Sequence, residues 1–246
     1  MILKALTNFA LVASSAFALA WISQNLIPDC SAQNVSQTNQ RCNSLHKCAE
    51  VGDMQTLSEL LQQTNQIDVR DDFGETPLFT AVRYENNEAA SLLISHGANL
   101  NVRNNDGTTP LMMAVLSQNL PLISALINAG ADVNASDPDG DTVIMHGAVF
   151  AGKQTCRILR LLVSHGANVN AAANDGRTAL MYSIRGISVD AVKSLLSLGA
   201  DVNARDRNGM SALDHVNDIW ETSPNNAARK IQRRMRKILI AAGAAH

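Results

Sequence analysis

Residues 71–101 read DDFGETPLFTAVRYENNEAASLLISHGANLN. The cluster Asp71-Asp72-Phe73-Gly74 is a turn signal, because glycine accepts positive φ and aspartate side chains close local hydrogen bonds to backbone N–H groups. Thr76-Pro77 then predicts a helix start. The threonine hydroxyl can accept from a free N–H of the first turn, and proline is tolerated where that turn has no backbone acceptor to meet. A short helix carries Leu78 and Ala81, and a second carries Ala89, Leu92 and Leu93 at i, i+3, i+4 spacing, which places all three on one face. Gly97 stands where that second helix needs a left-handed C-terminal cap.

The same sentence is written several times. Turn glycines fall at Gly74, Gly107, Gly140, Gly176 and Gly209, with spacings of 33, 33, 36 and 33 residues. A second set, in SHGANLN, NAGADVN, SHGANVN and SLGADVN, places Gly97, Gly130, Gly166 and Gly199 at 33, 36 and 33. Two independent markers that keep one period define an internal repeat, in which no unit buries its apolar face alone and stacked neighbours build a continuous core. Leu92, Leu93, Leu126, Ile127, Leu161, Leu162, Leu195 and Leu196 recur where the second helices should face that core. Hydrophobic residues make up 46% of the 246-residue chain and aromatic ones only 4%, so the core must be built from Ala, Leu, Ile and Val. Such residues suit closely stacked helices.

The units resemble the ankyrin repeat, with its turn, Thr-Pro-Leu and later Leu-Leu-x-x-Gly-Ala-Asp-Val-Asn. The resemblance implies an all-α solenoid of helix-turn-helix units joined by β-turn or hairpin loops. It assigns repeats to 71–103, 104–136, 137–172 and 173–205. Atypical end units are expected at 44–70 and 206–246, since terminal units face water on one side. At the front, Leu45, Cys48, Ala49, Gly52, Leu60 and Leu61 fit a helix pair without a preceding turn. At the back, Met235, Ile238, Leu239 and Gly243 fit a second helix after an insertion containing Pro224. The third repeat departs most: Val143 replaces proline, Gly147 replaces alanine, and three extra residues near Ala151–Cys156 are expected to lengthen the loop between its helices.

Ahead of the repeats the chain begins MILKALTNFALVASSAFALAWIS. One early base, Lys4, a short apolar stretch and small residues at Ala18 and Ala20 have the plan of a secretory signal peptide over residues 1–20. Export to the periplasm or the exterior follows, with no stable membrane insertion after cleavage. The alternative is retention as an anchor by residues 5–22, although a bilayer span needs about 20 apolar residues. Residues 21–43 form a polar leader rich in Gln, Asn, Ser and Thr, a composition that cannot fold by itself. Four cysteines behind an export signal can be oxidised. Cys30 and Cys42 in the leader are the expected disulfide, and Cys48 reads as a buried thiol in the first helix.

No constellation for catalysis emerges: G-x-S-x-G, P-loop, H-E-x-x-H and paired C-x-x-C patterns are all missing from the sequence. His96 and His165 precede helix-ending glycines, where the helix dipole favours a polar or basic residue. Cys42, His46 and Cys48 are three residues of metal-ligand type without a matching second pair. The reading is therefore a non-enzymatic, cofactor-free, metal-free monomer that binds a protein and no nucleic acid. Charge is unevenly placed: Ser44–Ala228 holds 12 bases and 21 acids, whereas Arg229–His246 holds six bases and no acid. That basic run reads first as the outer face of a capping helix, and alternatively as a contact for an anionic surface. The alternative function is accordingly a membrane-associated envelope scaffold, held by the N-terminal anchor or by this helix.

In ankyrin proteins, partners meet the turn tips and the exposed ends of the first helices, on the concave side. Carried over by position, the resemblance implies a partner-binding set of Asp72, Phe73, Glu75, Arg83 and Tyr84 in the first full repeat. Asp106 and Leu116 follow from the second, Asp139, Asp141, Val149 and Phe150 from the third, and Arg177 and Arg185 from the fourth. Exposed aromatics there resemble interface anchors.

Overall fold

A computed structural model describes residues 42, 44–221 and 226–244, with side chains left aside over 219–228. The expected signal peptide and nearly all of the leader lie outside the described residues. Twelve helices occur among the described residues, as six pairs. They are α1 (Leu45–Val51) and α2 (Met54–Gln63), α3 (Pro77–Arg83) and α4 (Asn87–Ser95), and α5 (Pro110–Leu116) and α6 (Leu120–Asn128). Then come α7 (Val143–Ala148) and α8 (Lys153–Ser164), α9 (Ala179–Arg185) and α10 (Val189–Ser197), and α11 (Ala212–Glu221) and α12 (Asn226–Ala241). Each first helix packs on the first helix of the next pair, each second helix on the next second helix, and the two layers pack on each other. The result is a two-layer helical stack with isolated β-bridges and no strand among the described residues.

The first-helix layer repeats one pattern. Leu78, Leu111, Ile144, Leu180 and Leu213 are buried two residues after each helix-starting Thr or Ser. In the second layer Leu93, Leu126, Leu162 and Leu195 are fully buried, whereas Leu92, Leu161 and Leu196 are half-buried and lie against the core. Each fully buried leucine contributes about 1.5–3 kcal/mol of apolar burial.

Helix starts follow the sequence in two repeats and change in the rest. Thr76 Oγ1 accepts from Phe79 N and Thr109 Oγ1 from Met112 N, each at 3.3 Å, with Pro77 and Pro110 as first helical residues. Thr142 and Thr178 occupy the same position, yet neither hydroxyl has a partner among the described residues. In those repeats the residue after threonine is Val143 or Ala179, and antiparallel bridges Ser136–Thr142 and Ala172–Thr178 appear instead. Val143 supplies the N–H that proline lacks, and it donates to Ala135 O at 3.2 Å.

The extra residues of the third repeat mostly lengthen a helix rather than the loop. α8 has 12 residues where α4, α6 and α10 have nine, and the connection from α7 gains one residue, taken from the end of α7. Thr155, Ile158, Leu159 and Leu162 are buried along one face, so the insertion continues the apolar helical period and is absorbed as helix.

Side chains stitch successive repeats together. Asn134 accepts from Asn168 N at 2.8 Å and donates through Nδ2 to Gly166 O at 3.0 Å. Asn170 does the same toward Asp201 N and Gly199 O. On the turns, Arg70 donates to Arg103 O at 2.8 Å, and Arg103 to Ser136 O. His96 and His165 place Nδ1 2.9 Å from the carbonyls of Leu92 and Leu161, capping the helix ends they follow.

The cysteine assignment changes. Cys42 is bonded to Cys48, with Cα atoms 5.2 Å apart, in place of the expected Cys30–Cys42 pair and of a free thiol at Cys48. The reason is proximity: Cys42 precedes the α1 cap residue Ser44, and Cys48 is one helical turn inside α1. Cys30 lies outside the described residues. With both sulfurs joined, Cys42 and Cys48 no longer combine with His46 as metal ligands, and among the described residues no group of three such side chains converges.

Candidate functional site

Turn tips arise from one repeated device. Asp71 Oδ1 accepts from the N–H groups of Phe73 and Glu75, each at 2.9 Å, and Asp137 and Asp206 do likewise in their own turns. Gly74, at φ 74°, completes the turn, and a Cβ there would collide with the Asn105 side chain of the next repeat. Tips are also tied across repeats. Asn105 N donates to Phe73 O at 2.9 Å and Asn174 N to Asp139 O at 2.9 Å, but residue 138 is proline and donates nothing to the tip before it. Asp72, Asp106 and Asp139 therefore project as a row of exposed acids, one per repeat.

Among the described residues, Phe73 and Tyr84 are the exposed aromatic side chains, at 64% and 52% exposure. Phe73 sits on the first tip, and Tyr84 is the residue at which α3 ends. Beside Tyr84, Glu85 adopts φ 58°, and Gln118 and Ile187 adopt φ 55° and 56° at equivalent connections. This left-handed residue lets the N–H of Asn86 return to Ala81 O at 2.9 Å, closing the helix in a tight turn. The chain thus leaves α3 abruptly and holds Tyr84 at its rim.

Several residues of the sequence-predicted set sit differently. Glu75 is buried at 3% exposure rather than displayed at the tip. Its carboxylate forms a two-pronged ion pair with Arg83, whose Nε donates to Oε2 at 3.0 Å, and Asn104 Nδ2 lies 3.5 Å from Oε1. Arg83 also lies over the Phe79 ring, 5.7 Å from its centroid. The pair braces the first tip from beneath instead of presenting charge to a partner. Asp141 is half-buried and accepts from the Tyr182 hydroxyl of the following repeat. Burial pushes the Asp141 carboxyl above its ordinary value, and burial followed by this bond pushes Tyr182 up as well.

Leu116, Val149, Phe150, Arg177 and Arg185 are half-buried. Val149 owes this to its neighbour: its carbonyl approaches Gly186 so closely that a Cβ there would lie far inside van der Waals contact. Gly186 has an ordinary negative φ of −74°, so its role is space rather than conformation. The expected partner-binding set is thus open at its first end, at Phe73 and Tyr84, and largely closed between the third and fourth repeats. Arg177 is paired with Asp175 at 2.8 Å.

Two pairs beneath this face were not foreseen: the half-buried His146–Asp137 at 3.2 Å and the buried His215–Asp206 at 3.0 Å. Each histidine is four residues past the helix-starting Thr or Ser, and each aspartate opens its own turn, so the sequence spacing held a signal. They fix the turn to the helix within one repeat. Two shallow depressions occur elsewhere, one on α2 and α4 along Asn87, Ser91 and Ser95, the other at the N-terminal end around Leu45, Leu60 and Val69. Neither encloses a convergent set of polar groups.

The described residues form a helical-repeat stack, a class of protein in which each unit packs on its neighbours and leaves its turn tip at the surface. The sequence matches the ankyrin-repeat family, described as ankyrin repeats in three copies, over residues 45–137 and 119–206. The chain belongs to that family, whose domains act as protein–protein interaction modules. It is similar to the crystal structure of an ankyrin repeat domain from Acinetobacter baumannii AYE, at 30% identity and TM-score 0.70, covering 82% of this chain and 98% of that one. A similar match is the ankyrin repeat domain of Bcl-3, a member of the IkappaB protein family, at 25% identity and TM-score 0.70 over 82% of this chain and 86% of that one. Ankyrin repeat domain-containing protein 13C of mouse and of human are each 43% identical over 54 residues, 22% of this chain. That match spans 10% of the length of those relatives.

Proposed function

We propose that this chain is a non-enzymatic, cofactor-free module that binds a protein partner through the open end of its tip-and-first-helix face, outside the cytoplasm. The observation that carries the reading is the joint exposure of Phe73 and Tyr84, at 64% and 52%, on one repeat of a stack whose core is otherwise closed. Large apolar side chains on a soluble surface mark contact sites when they cluster. Asp72 next to Phe73, Glu85 next to Tyr84 and Asp106 on the following tip are all exposed, which makes this end acidic. The fitting partner surface is apolar at its centre and basic at its rim. Export is supported by the N-terminal pattern with Lys4 and Ala18-Leu19-Ala20, and by the Cys42–Cys48 bond, which suits an oxidising compartment. The protein acts as a monomer, periplasmic or secreted.

The test is affinity capture with the chain from the cells that make it, followed by titration of the captured protein. Tyr84→Ala should weaken binding by about 1–2 kcal/mol or more and leave urea unfolding nearly unchanged. Undiminished binding by Tyr84→Ala and by Phe73→Ala would remove this site assignment. N-terminal sequencing of the native protein should begin near Trp21; a chain starting at Met1 in the membrane fraction would favour the anchored alternative.

A further inference from the structure

The last helix is built for more than covering the end of the stack. α12 has 16 residues where α4, α6 and α10 have nine, and both α10 and α12 stop two residues before a glycine, Gly199 and Gly243. Its excess therefore lies on the N-terminal side, in the part that carries Arg229 and Lys230. One face is fully committed to the stack: Met235 and Leu239 are completely buried, Ile231 and Ile238 lie against the core, and Gln232 Nε2 donates to Val216 O at 3.3 Å.

The opposite face is of a single kind. Arg229, Lys230, Arg233, Arg234, Arg236 and Lys237 are all exposed. At about 100° per residue they fall within an arc of about 160°. No acid occurs after Glu221, and among the described residues none of the six bases is in an ion pair. Ile240, at 40% exposure, projects within the same arc, and Ala241 completes it. The rest of the domain is acidic, with 21 acids against 12 bases from Ser44 to Ala228.

We propose that this face of α12 docks the domain peripherally on an anionic phospholipid surface. Four arginines can grip phosphodiester oxygens in pairs, and a flat array of cations on a rigid helix matches a plane of head groups. From Arg229 to Ala241 the arc holds no Asn, Gln, Ser or aromatic side chain that could read or stack on bases. It holds an exposed isoleucine that gains from the acyl boundary and gains nothing from a phosphate backbone. Because the apolar stripe of α12 is used by the stack, the helix lies on the surface by charge and does not insert. The acidic remainder is repelled, which orients the domain with its last helix down and leaves the Phe73–Tyr84 end, at the opposite end of the repeat order, free for its partner.

The experiment is co-sedimentation of the full chain with vesicles of pure phosphatidylcholine and of phosphatidylcholine with 30 mol% phosphatidylglycerol. The N-terminal apolar stretch acts alike on both, so the quantity read is the ratio of the two partition coefficients. The ratio should exceed tenfold for the native chain at low salt and collapse toward one as salt is raised. Arg233→Glu with Arg234→Glu should lower it steeply toward one, at about fivefold per charge removed. Arg236→Glu with Lys237→Glu should do the same, so the test survives if either pair disturbs folding. Ile240→Ser should lower it a few-fold. An unchanged ratio in both double variants overturns the proposal. So does a 20-base-pair DNA duplex that displaces the chain from the anionic vesicles and binds Ile240→Ser as well as the native chain.

Discussion

Replacing Leu162 by alanine separates two registers of the enlarged third repeat, because its neighbour Leu161 has the same chemistry and a different environment. Leu162 is completely buried in α8, whereas Leu161 is half-exposed at the edge of the core. Truncation at 162 removes three apolar carbons from full burial, about 2.4 kcal/mol at 0.8 kcal/mol each. It also leaves a cavity between α8 and its neighbours, raising the loss to about 3–5 kcal/mol. At Leu161 water reaches the site, so no enclosed cavity forms and about half of the transfer energy is lost, about 1 kcal/mol. Urea unfolding followed by far-UV circular dichroism measures both, with unchanged m-values as the check on cooperativity. Equal losses at the two positions, or a larger one at Leu161, would refute the register and with it the conclusion that the insertion is absorbed as helix.

Gly186→Ala should cost about 2–3 kcal/mol from backbone collision with Val149, against about 1–2 kcal/mol for Gly97→Ala, where only positive φ is at stake; thermal unfolding of the two variants compares space with conformation directly. Cys42→Ser should lower stability by about 2 kcal/mol for so short a closed loop, with faster amide exchange concentrated in α1, and reductant should reproduce the effect in the native chain only. Burial alone pushes the Asp206 carboxyl up, but hydrogen bonds from the N–H groups of Met210 and Asn208 and from His215 outweigh it and hold it below its ordinary 3.8. Its folded pKa is depressed, so its contribution is present above pH 3.8 and is lost as pH falls below it. Asp206→Asn should therefore be less stable at neutral pH by about 1–2 kcal/mol and show a shallower acid-unfolding slope; an unaltered slope would deny this role.

Much of the fold was legible because the repeat is enforced by backbone geometry. Gly74, Gly107, Gly140, Gly176 and Gly209 all adopt positive φ, as do the helix-ending Gly97, Gly130, Gly166 and Gly199, and a residue chosen for its backbone leaves a regular trace in sequence. The second-helix leucines were legible from their helical spacing, but only Leu162 and its equivalents are fully buried, because half-buried edge positions tolerate the same residue. The site was less legible where contacts are between repeats. Nothing local marks Glu75 as buried: its partners Arg83 and Asn104 lie eight and 29 residues away. The Asp141–Tyr182 bond spans 41 residues. Gly186 keeps an ordinary φ, so its reason, the approach of Val149, is invisible without the neighbouring repeat. Composition assigned Cys42 to the polar leader, when its position six residues before Cys48 belongs to the first helix and its approach.

The central claim is that a protein partner sits on the Phe73–Tyr84 end of the tip-and-first-helix face. A photo-crosslinking amino acid placed at position 84, and separately at Ser91 on the exposed side of α4, tests it in the cells that make the protein. A discrete crosslinked protein species is expected from position 84, lost when Phe73 is also changed to alanine, and none from position 91. The same species from both positions, or from position 91 alone, would contradict it.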